Sequence, residues 1–316
     1  MCMTNVDKCP VEGGRSVARH RFAAEAIGCR VSRRGRGHIG AVFKRASIML
    51  LDDGGIIALL APHVGQVAHG VRLTENRPFD RWVSIGMPAR MCGDYISLGD
   101  GIVTVTLSTA RIWTPAIHPG LLKPTDTTLK AVVLLRKLLL TLALGAGSEF
   151  LAVTLSIARP ATVLEARVST TLARLAPAAR ARDSAGALLC LRDLIGLGPG
   201  LTPAGDDFII GWLAGLTIAA QSPDQREFLA AMCSGIAALS GGTTPISRQH
   251  LADACALMFA ERLSDVCLAL ASGAPRAALE TCLAAQMSVG ATSGADAAAG
   301  LIFALCDCAP SLRVTA

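Results

Sequence analysis

Two adjacent carboxylates behind a glycine-rich loop are the residues of this 316-residue chain best suited to chemistry. Residues 194–213 read Leu-Ile-Gly-Leu-Gly-Pro-Gly-Leu-Thr-Pro-Ala-Gly-Asp-Asp-Phe-Ile-Ile-Gly-Trp-Leu. The spacing predicts a helix ending at Gly196, a tight loop through Gly198, Pro199 and Gly200, and a new helix after Thr202 with Pro203 in its first turn. Glycines let a backbone approach a ligand closely, and the exposed amides of a helix N-terminus favour an anion. This is not a Walker A loop, because no Gly-Lys-Ser/Thr follows, and not a dinucleotide fingerprint, because a helix rather than a strand precedes it. Asp206 and Asp207 admit two readings. Capping the helix and meeting its dipole needs one acid, worth roughly 0.3–2 kcal/mol. Neighbours on a helix point about 100° apart, so one acid could cap while the other faces a cleft and binds a hydroxyl, an amide or a cation.

A second segment repeats the pattern. Gly294, Asp296, Gly300 and Leu305 align with Gly205, Asp207, Gly211 and Leu216 as Gly-x-Asp-x-x-x-Gly-x-x-x-x-Leu. A glycine inside a helix costs about 1 kcal/mol and needs a packing reason. The repeat therefore predicts two helices that cross closely with both aspartates at one end, although a chance match in an Ala/Gly-rich chain stays open. Between the copies lies Thr243-Thr244-Pro245-Ile246-Ser247, whose hydroxyls could cap a helix or line the same cleft. The candidate site is then Asp206, Asp207 and Asp296 as catalytic groups, with Gly198, Gly200, Thr202, Gly205, Thr244, Ser293 and Gly294 binding substrate. Arg45 and Arg111 are possible partners for an anion's charge.

Other chemistries find less support. The histidines at 20, 38, 63, 69, 118 and 250 form no HxxxH or HxH pair, and His63 and His69 read as structural or solvated. Eleven cysteines include no CxxC, and the spacing of Cys306 and Cys308 suits no common zinc motif, so reduced core thiols are expected. No GxSxG elbow occurs.

The elements that must position the site divide in two. Ala41 to Leu51 and Ile56 to Leu60 flank Asp52-Asp53-Gly54-Gly55, and Tyr95 to Leu98 and Ile102 to Leu107 flank Gly99-Asp100-Gly101, which are two hairpin signals. After Pro124 the pattern changes. Thr125-Asp126-Thr127 should cap a helix running to about Leu144 and stopped by Gly145. Further helices are expected near 148–158, 161–175, 183–195, 205–220, 224–239, 246–262, 275–287 and 294–306. The fold class is α+β, with a β-rich N-terminal domain over 1–122 and an all-helical domain over 123–316.

Composition sets the limits. With 52% hydrophobic and 17% charged residues the chain is not disordered. The mean hydropathy of +0.48 is high, but no uninterrupted run near 20 apolar residues survives its breaks, and Met1 to His20 has no apolar core of a secretory signal. A cytoplasmic protein is expected, with a permanent interface to itself or a partner. Net charge is +6, and a basic block from Arg15 to Arg45 holds nine cationic residues against Glu25 alone. Such a block reads as a solvated face or partner contact, and nucleic acid is the less favoured target because only Phe22 and Phe43 interleave with it.

Gly-Leu-Gly-Pro-Gly-Leu-Thr-Pro-Ala-Gly-Asp-Asp-Phe at 196–208 resembles the hallmark of the AllH/YlbF family. Thr243-Thr244-Pro245-Ile246-Ser247 and Ser293-Gly294-Ala295-Asp296 carry the resemblance on, and Val42 to Ala46 and Ala110 to Trp113 are similar to the family's β-region. Ala204 stands where the family pattern has Ser, and Ala291-Thr292 where it has Gly-His or similar. The resemblance implies a subunit of an oxamate carbamoyltransferase, which interconverts oxalurate plus phosphate with oxamate plus carbamoyl phosphate, alongside FdrA-like and YlbE-like subunits in a hetero-oligomer of allantoin breakdown. Two alternatives stay open beside it. One is a metal-dependent hydrolase in which Asp206, Asp207 and Asp296 hold Mg²⁺. The other is a non-catalytic binding or regulatory subunit.

Overall fold

A computed structural model of the chain describes residues 20–157 and 159–308. Arg15 and Arg19 of the basic block, and the segment read for a secretory signal up to residue 19, lie outside the described residues. The strands are β1 (His20–Gly28), β2 (Arg34–Val42), β3 (Ala46–Leu51), β4 (Ile56–Leu60), β5 (Gly70–Leu73), β6 (Pro88–Cys92), β7 (Tyr95–Leu98), β8 (Val103–Thr106) and β9 (Arg111–Trp113).

Both expected hairpins are present, β3 with β4 and β7 with β8, each antiparallel. Ala41 to Leu51 is not one strand, however. It turns at Phe43–Arg45, where Val42 pairs with Ser47, and so forms a further hairpin of β2 with β3. The strands run β5-β4-β3-β2-β6-β7-β8-β1, and β1 pairs back onto β5 to close an eight-stranded barrel. β9 continues from β8 along the other end of β1, pairing with Ala26 to Gly28. Closure hides one face of every strand, and period-2 residues fill the inside: Ala24, Met49, Leu51, Ile57, Leu59, Val71, Leu73, Ile96, Leu98, Val103 and Val105 form one buried cluster.

The described residues beyond Trp113 form helices: α1 (Asp126–Ala146), α2 (Glu149–Thr154), α3 (Val163–Ala181), α4 (Ser184–Leu194), α5 (Ala204–Ala219), α6 (Pro223–Leu239), α7 (Pro245–Cys255), α8 (Glu261–Ala271), α9 (Arg276–Met287) and α10 (Ser293–Phe303). The α+β class holds, and the β-rich part is a closed barrel. Thr125 caps α1 through a box with Thr128, but the helix passes Gly145 and stops at Gly147, which takes the left-handed conformation. The segment expected as one helix over 246–262 is two. Leu257 turns the chain at φ 60°, Phe259 drops into the core, and α8 begins at Glu261. No helix is long and apolar enough among the described residues to cross a membrane.

α5 and α10 are the repeat segments, and they cross through their glycines. A Cβ on Gly211 would lie 1.8 Å from the Ala297 carbonyl oxygen, and one on Gly300 would lie 1.9 Å from that of Phe208. Gly211 meets Ala297 and Gly215 meets Leu301, so the helices run in the same direction with their N-termini at one end. A buried hydrogen bond, a partly buried ion pair and an apolar contact join barrel and helices. Ile246 of α7 packs on the outward Ile48, Ile56 and Leu60. His69 Nδ1 lies 2.5 Å from the Asp253 carboxylate, and Arg72 bonds both Glu25 and Glu261. His69 is thus a buried structural group. Burial pushes the neighbouring His250 imidazole down to about 3, with His69 adding to the fall.

Candidate functional site

The loop between α4 and α5 has the conformation its glycines imply. Gly198 and Gly200 sit at φ 112° and 97°, a region that side chains rarely enter. Among the described residues no backbone carbonyl takes their amides. The loop is held from behind by Asp206, which is fully buried. Its Oδ1 accepts from the Gly196 amide at 2.9 Å, and its Oδ2 accepts from the Ser247 hydroxyl at 2.7 Å and from the Thr243 hydroxyl. Pro203, at the N-cap of α5, makes no side-chain cap bond, and Asp206 instead ties the loop and the start of α7 to α5.

The Thr244 hydroxyl makes two hydrogen bonds. It caps α7 by accepting from the Ser247 amide at 3.1 Å, and it donates to the Leu201 carbonyl at 2.5 Å. The Thr202 and Ser293 hydroxyls meet at 3.0 Å, joining the loop to the first residue of α10. Gly205 and Gly294 act through close packing. A Cβ on the first would meet the Leu194 carbonyl oxygen at 2.1 Å, and on the second that of Gln286 at 2.0 Å.

Asp207 and Asp296 differ from Asp206 in being incompletely paired. Each has a buried Oδ2 that meets no hydrogen-bond partner among the described residues. Burial pushes the Asp207 carboxyl well above the ordinary carboxylate range, against the pull of the Ser293 hydroxyl, and the nearby charge of Asp296 raises it further. Burial likewise raises Asp296, to about 6, although Ser148 donates to its Oδ1 at 2.5 Å. The parallel crossing of α5 and α10 thus sets two reluctant carboxylates at neighbouring helix N-termini, where the dipoles favour their ionised forms but do not outweigh desolvation.

The two arginines are placed differently. Arg45, in the β2–β3 turn, reaches the Ser288 carbonyl at 3.5 Å, just before α10. Arg111 is exposed on β9, paired with Ala26, and among the described residues no contact places it beside the aspartates. The sequence reading singled out neither Ser148 nor Ser247 individually. Ser247 stood within the Thr-Thr-Pro-Ile-Ser run, whereas Ser148 reads only as an N-cap, and nothing local tells that it faces Asp296.

As a site for a divalent cation, the arrangement offers less than three aspartates would. The oxygens of Asp206 are committed to protein donors, which leaves one free oxygen each on Asp207 and Asp296, and among the described residues no group of three or more His, Cys, Asp or Glu is arranged to hold a metal. The chemistry better suited to these groups is hydrogen bonding and proton transfer. The division of labour is testable. Asp206→Ala removes a buried carboxylate from three donors, one of them buried and two partly buried, and such bonds are worth about 1.5–3 kcal/mol each. Urea denaturation should show a loss of about 3–5 kcal/mol after partial relaxation, and a loss below about 1 kcal/mol would contradict the tethering role.

Residues 194–305 match the family model described as oxamate carbamoyltransferase subunit AllH. The match runs from the glycine loop to the end of α10 and takes in Asp206, Asp207, Thr244 and Asp296, while the barrel lies outside it. The resemblance read from the sequence stands over that segment. No curated protein and no solved structure matches the chain.

Proposed function

From the match of residues 194–305 to the AllH family, we propose that this chain is a subunit of a carbamoyltransferase of the oxamate type and contributes the Asp207–Asp296 pair to its active site. The observation that carries the reading is the pair of buried carboxyls inside the matching segment, each with an oxygen unsatisfied among the described residues. Buried acids raised by desolvation are suited to general acid–base work. In the phosphorolysis of oxalurate, a phosphate oxygen attacks the carbamoyl carbon and the bond to the oxamate nitrogen breaks. That nitrogen must gain a proton, and the attacking hydrogen phosphate must lose one. Asp207, raised by burial and by the nearby charge of Asp296, donates to the leaving nitrogen, and ionised Asp296 takes the proton from phosphate. The amides of Gly198 and Gly200 meet an anionic end of the substrate, with Arg45 at the rim. Arg111 is assigned no step. Thr202 and Ser293 orient Asp207, and Asp206 is a positioning residue.

FdrA-like and YlbE-like subunits are the proposed partners, and they supply what this chain lacks for a complete site. The test is reconstitution. The three chains are mixed with oxalurate and phosphate, and carbamoyl phosphate and oxamate are measured. Formation of both only when this chain is present supports the reading. Equal activity of the other two chains without it would sink the reading.

A further inference from the structure

One buried hydroxyl makes the two oxygens of Asp296 unlike. α1 stops at Gly147 in the left-handed conformation, and the next residue, Ser148, is the N-cap of α2. This short helix is anchored at the crossing of α5 and α10. Phe150 and Leu151 are fully buried, and the Phe150 ring centroid lies 5.1 Å from that of Phe208, the residue after Asp207 on α5. α2 also packs on α10. Ser148 is itself buried there. A serine hydroxyl has two lone pairs and one proton. One lone pair takes the Leu151 amide at 2.9 Å. The proton goes to Asp296 Oδ1 at 2.5 Å, a length typical of a bond to an ionised carboxylate. Among the described residues the hydroxyl meets no other acceptor. Oδ2 of the same carboxylate is buried and meets no donor among the described residues. Oδ1 is therefore occupied by a proton that belongs to Ser148, and a proton that Asp296 takes up must go to Oδ2.

We infer that Ser148 is a positioning residue of the site, which by donating to Oδ1 of Asp296 leaves Oδ2 as the oxygen that accepts the proton in catalysis. This rests on the assignment of Asp296 as the base that takes the proton from phosphate. In that step the phosphate O–H bond breaks, its electron pair stays on the phosphate oxygen, and the proton bonds to Oδ2. The Ser148 proton stays on its own oxygen throughout. The same hydrogen bond favours the ionised form of Asp296 over the neutral one, and so works against its surroundings. Burial raises the Asp296 carboxyl, Ser148 pulls it down, and the charge of Glu149, next to Ser148 on α2, raises it again. Asp207 on α5 is the other acid that interacts with it. α1 and α9 also pack on α10, and among the described residues they add no charge that acts on Asp296.

The experiment uses the full chain, with its aspartate carboxyl carbons isotopically labelled and titrated by NMR. The Asp296 signal is the one lost in Asp296→Asn. Ser148→Gly removes the donor and puts in a residue that N-caps tolerate, and Ser148→Ala is titrated beside it as a second variant without the hydroxyl. Ser148→Thr keeps both the donor and the cap. The Asp296 midpoint should rise by roughly one to two units without the hydroxyl, the worth of a hydrogen bond to a charged group, and return to the parent value in Ser148→Thr. A midpoint that does not move when the hydroxyl is lost overturns the proposal and leaves the assignment of the base standing. In the reconstituted enzyme the acid limb of kcat/KM should move up by the same amount, a loss of about ten-fold or more at a pH below it. A midpoint that moves while the limb stays in place means that Asp296 is not the base, and the assignment and the proposal then fall together.

Discussion

Asp207→Asn is expected to leave the chain at least as stable as the parent at neutral pH while the assembled enzyme loses turnover by about 10²–10⁴-fold, the usual worth of a positioned general acid. The stability side follows from desolvation. Asp207 and Asp296 are both raised by burial, so the folded chain holds their protons to a higher pH than the unfolded chain does. Stability from these groups is therefore fully present below the ordinary carboxylate pKa and declines as pH rises through the folded value. For Asp296 the window runs from its ordinary 3.8 to about 6, a gap equivalent to roughly 3 kcal/mol. Asp296→Asn should recover up to about that amount at pH 8 and nothing at pH 4, because its amide oxygen can still accept from Ser148. Chemical denaturation at the two pH values and turnover of the reconstituted complex read out both sides. A helix-capping role for Asp207 predicts the opposite: a stability loss near 1 kcal/mol with activity retained. A site that loses activity as it gains stability is one that holds unfavourable groups for function.

The second large effect is expected at the crossing of α5 and α10. Gly→Ala in a helix normally stabilises by up to about 1 kcal/mol. At Gly211 and Gly300 the added carbon would fall within 2 Å of a backbone carbonyl oxygen on the other helix, and a backbone cannot yield as a flexible side chain does. Overpacking of this kind costs about 1–3 kcal/mol and more when the backbone must move, so the clash outweighs the propensity gain. Either Gly211→Ala or Gly300→Ala should destabilise by about 3 kcal/mol or more. Parting the helices also moves Asp207 from Asp296, so activity should fall in whatever fraction still folds. Gly145→Ala is the control, since nothing among the described residues lies within 4 Å of its added carbon near the end of α1, and it should be neutral or slightly stabilising. A mild effect at both crossing positions would mean that the helices do not approach as closely as described.

What could be read from the chain alone was local. The Asp-Gly turns announced two hairpins because left-handed turn residues and alternating apolar runs are short-range signals. Thr125 announced a helix start for the same reason, through a side chain that bonds an amide three residues on. The repeated Gly-x-Asp pattern went further, because a glycine within a helix implies a close neighbour, and two matched glycine helices implied each other. The closed barrel was not legible. It depends on β1 pairing with β5, β8 and β9, and nothing in a short strand names a partner that far along the chain. The split of 246–262 was missed because burial of Phe259, not local propensity, turns the chain. The two aspartates side by side could not be told apart by sequence, since either could cap or face a cleft. Tertiary structure sets them apart by bringing Thr243, Ser247 and the Gly196 amide to Asp206 and leaving one oxygen of Asp207 without a donor among the described residues. Residue types along the chain determine which groups can ionise, cap or turn. Whether a buried carboxylate is satisfied depends on donors brought to it from distant segments, and that pairing exists only once the helices have packed.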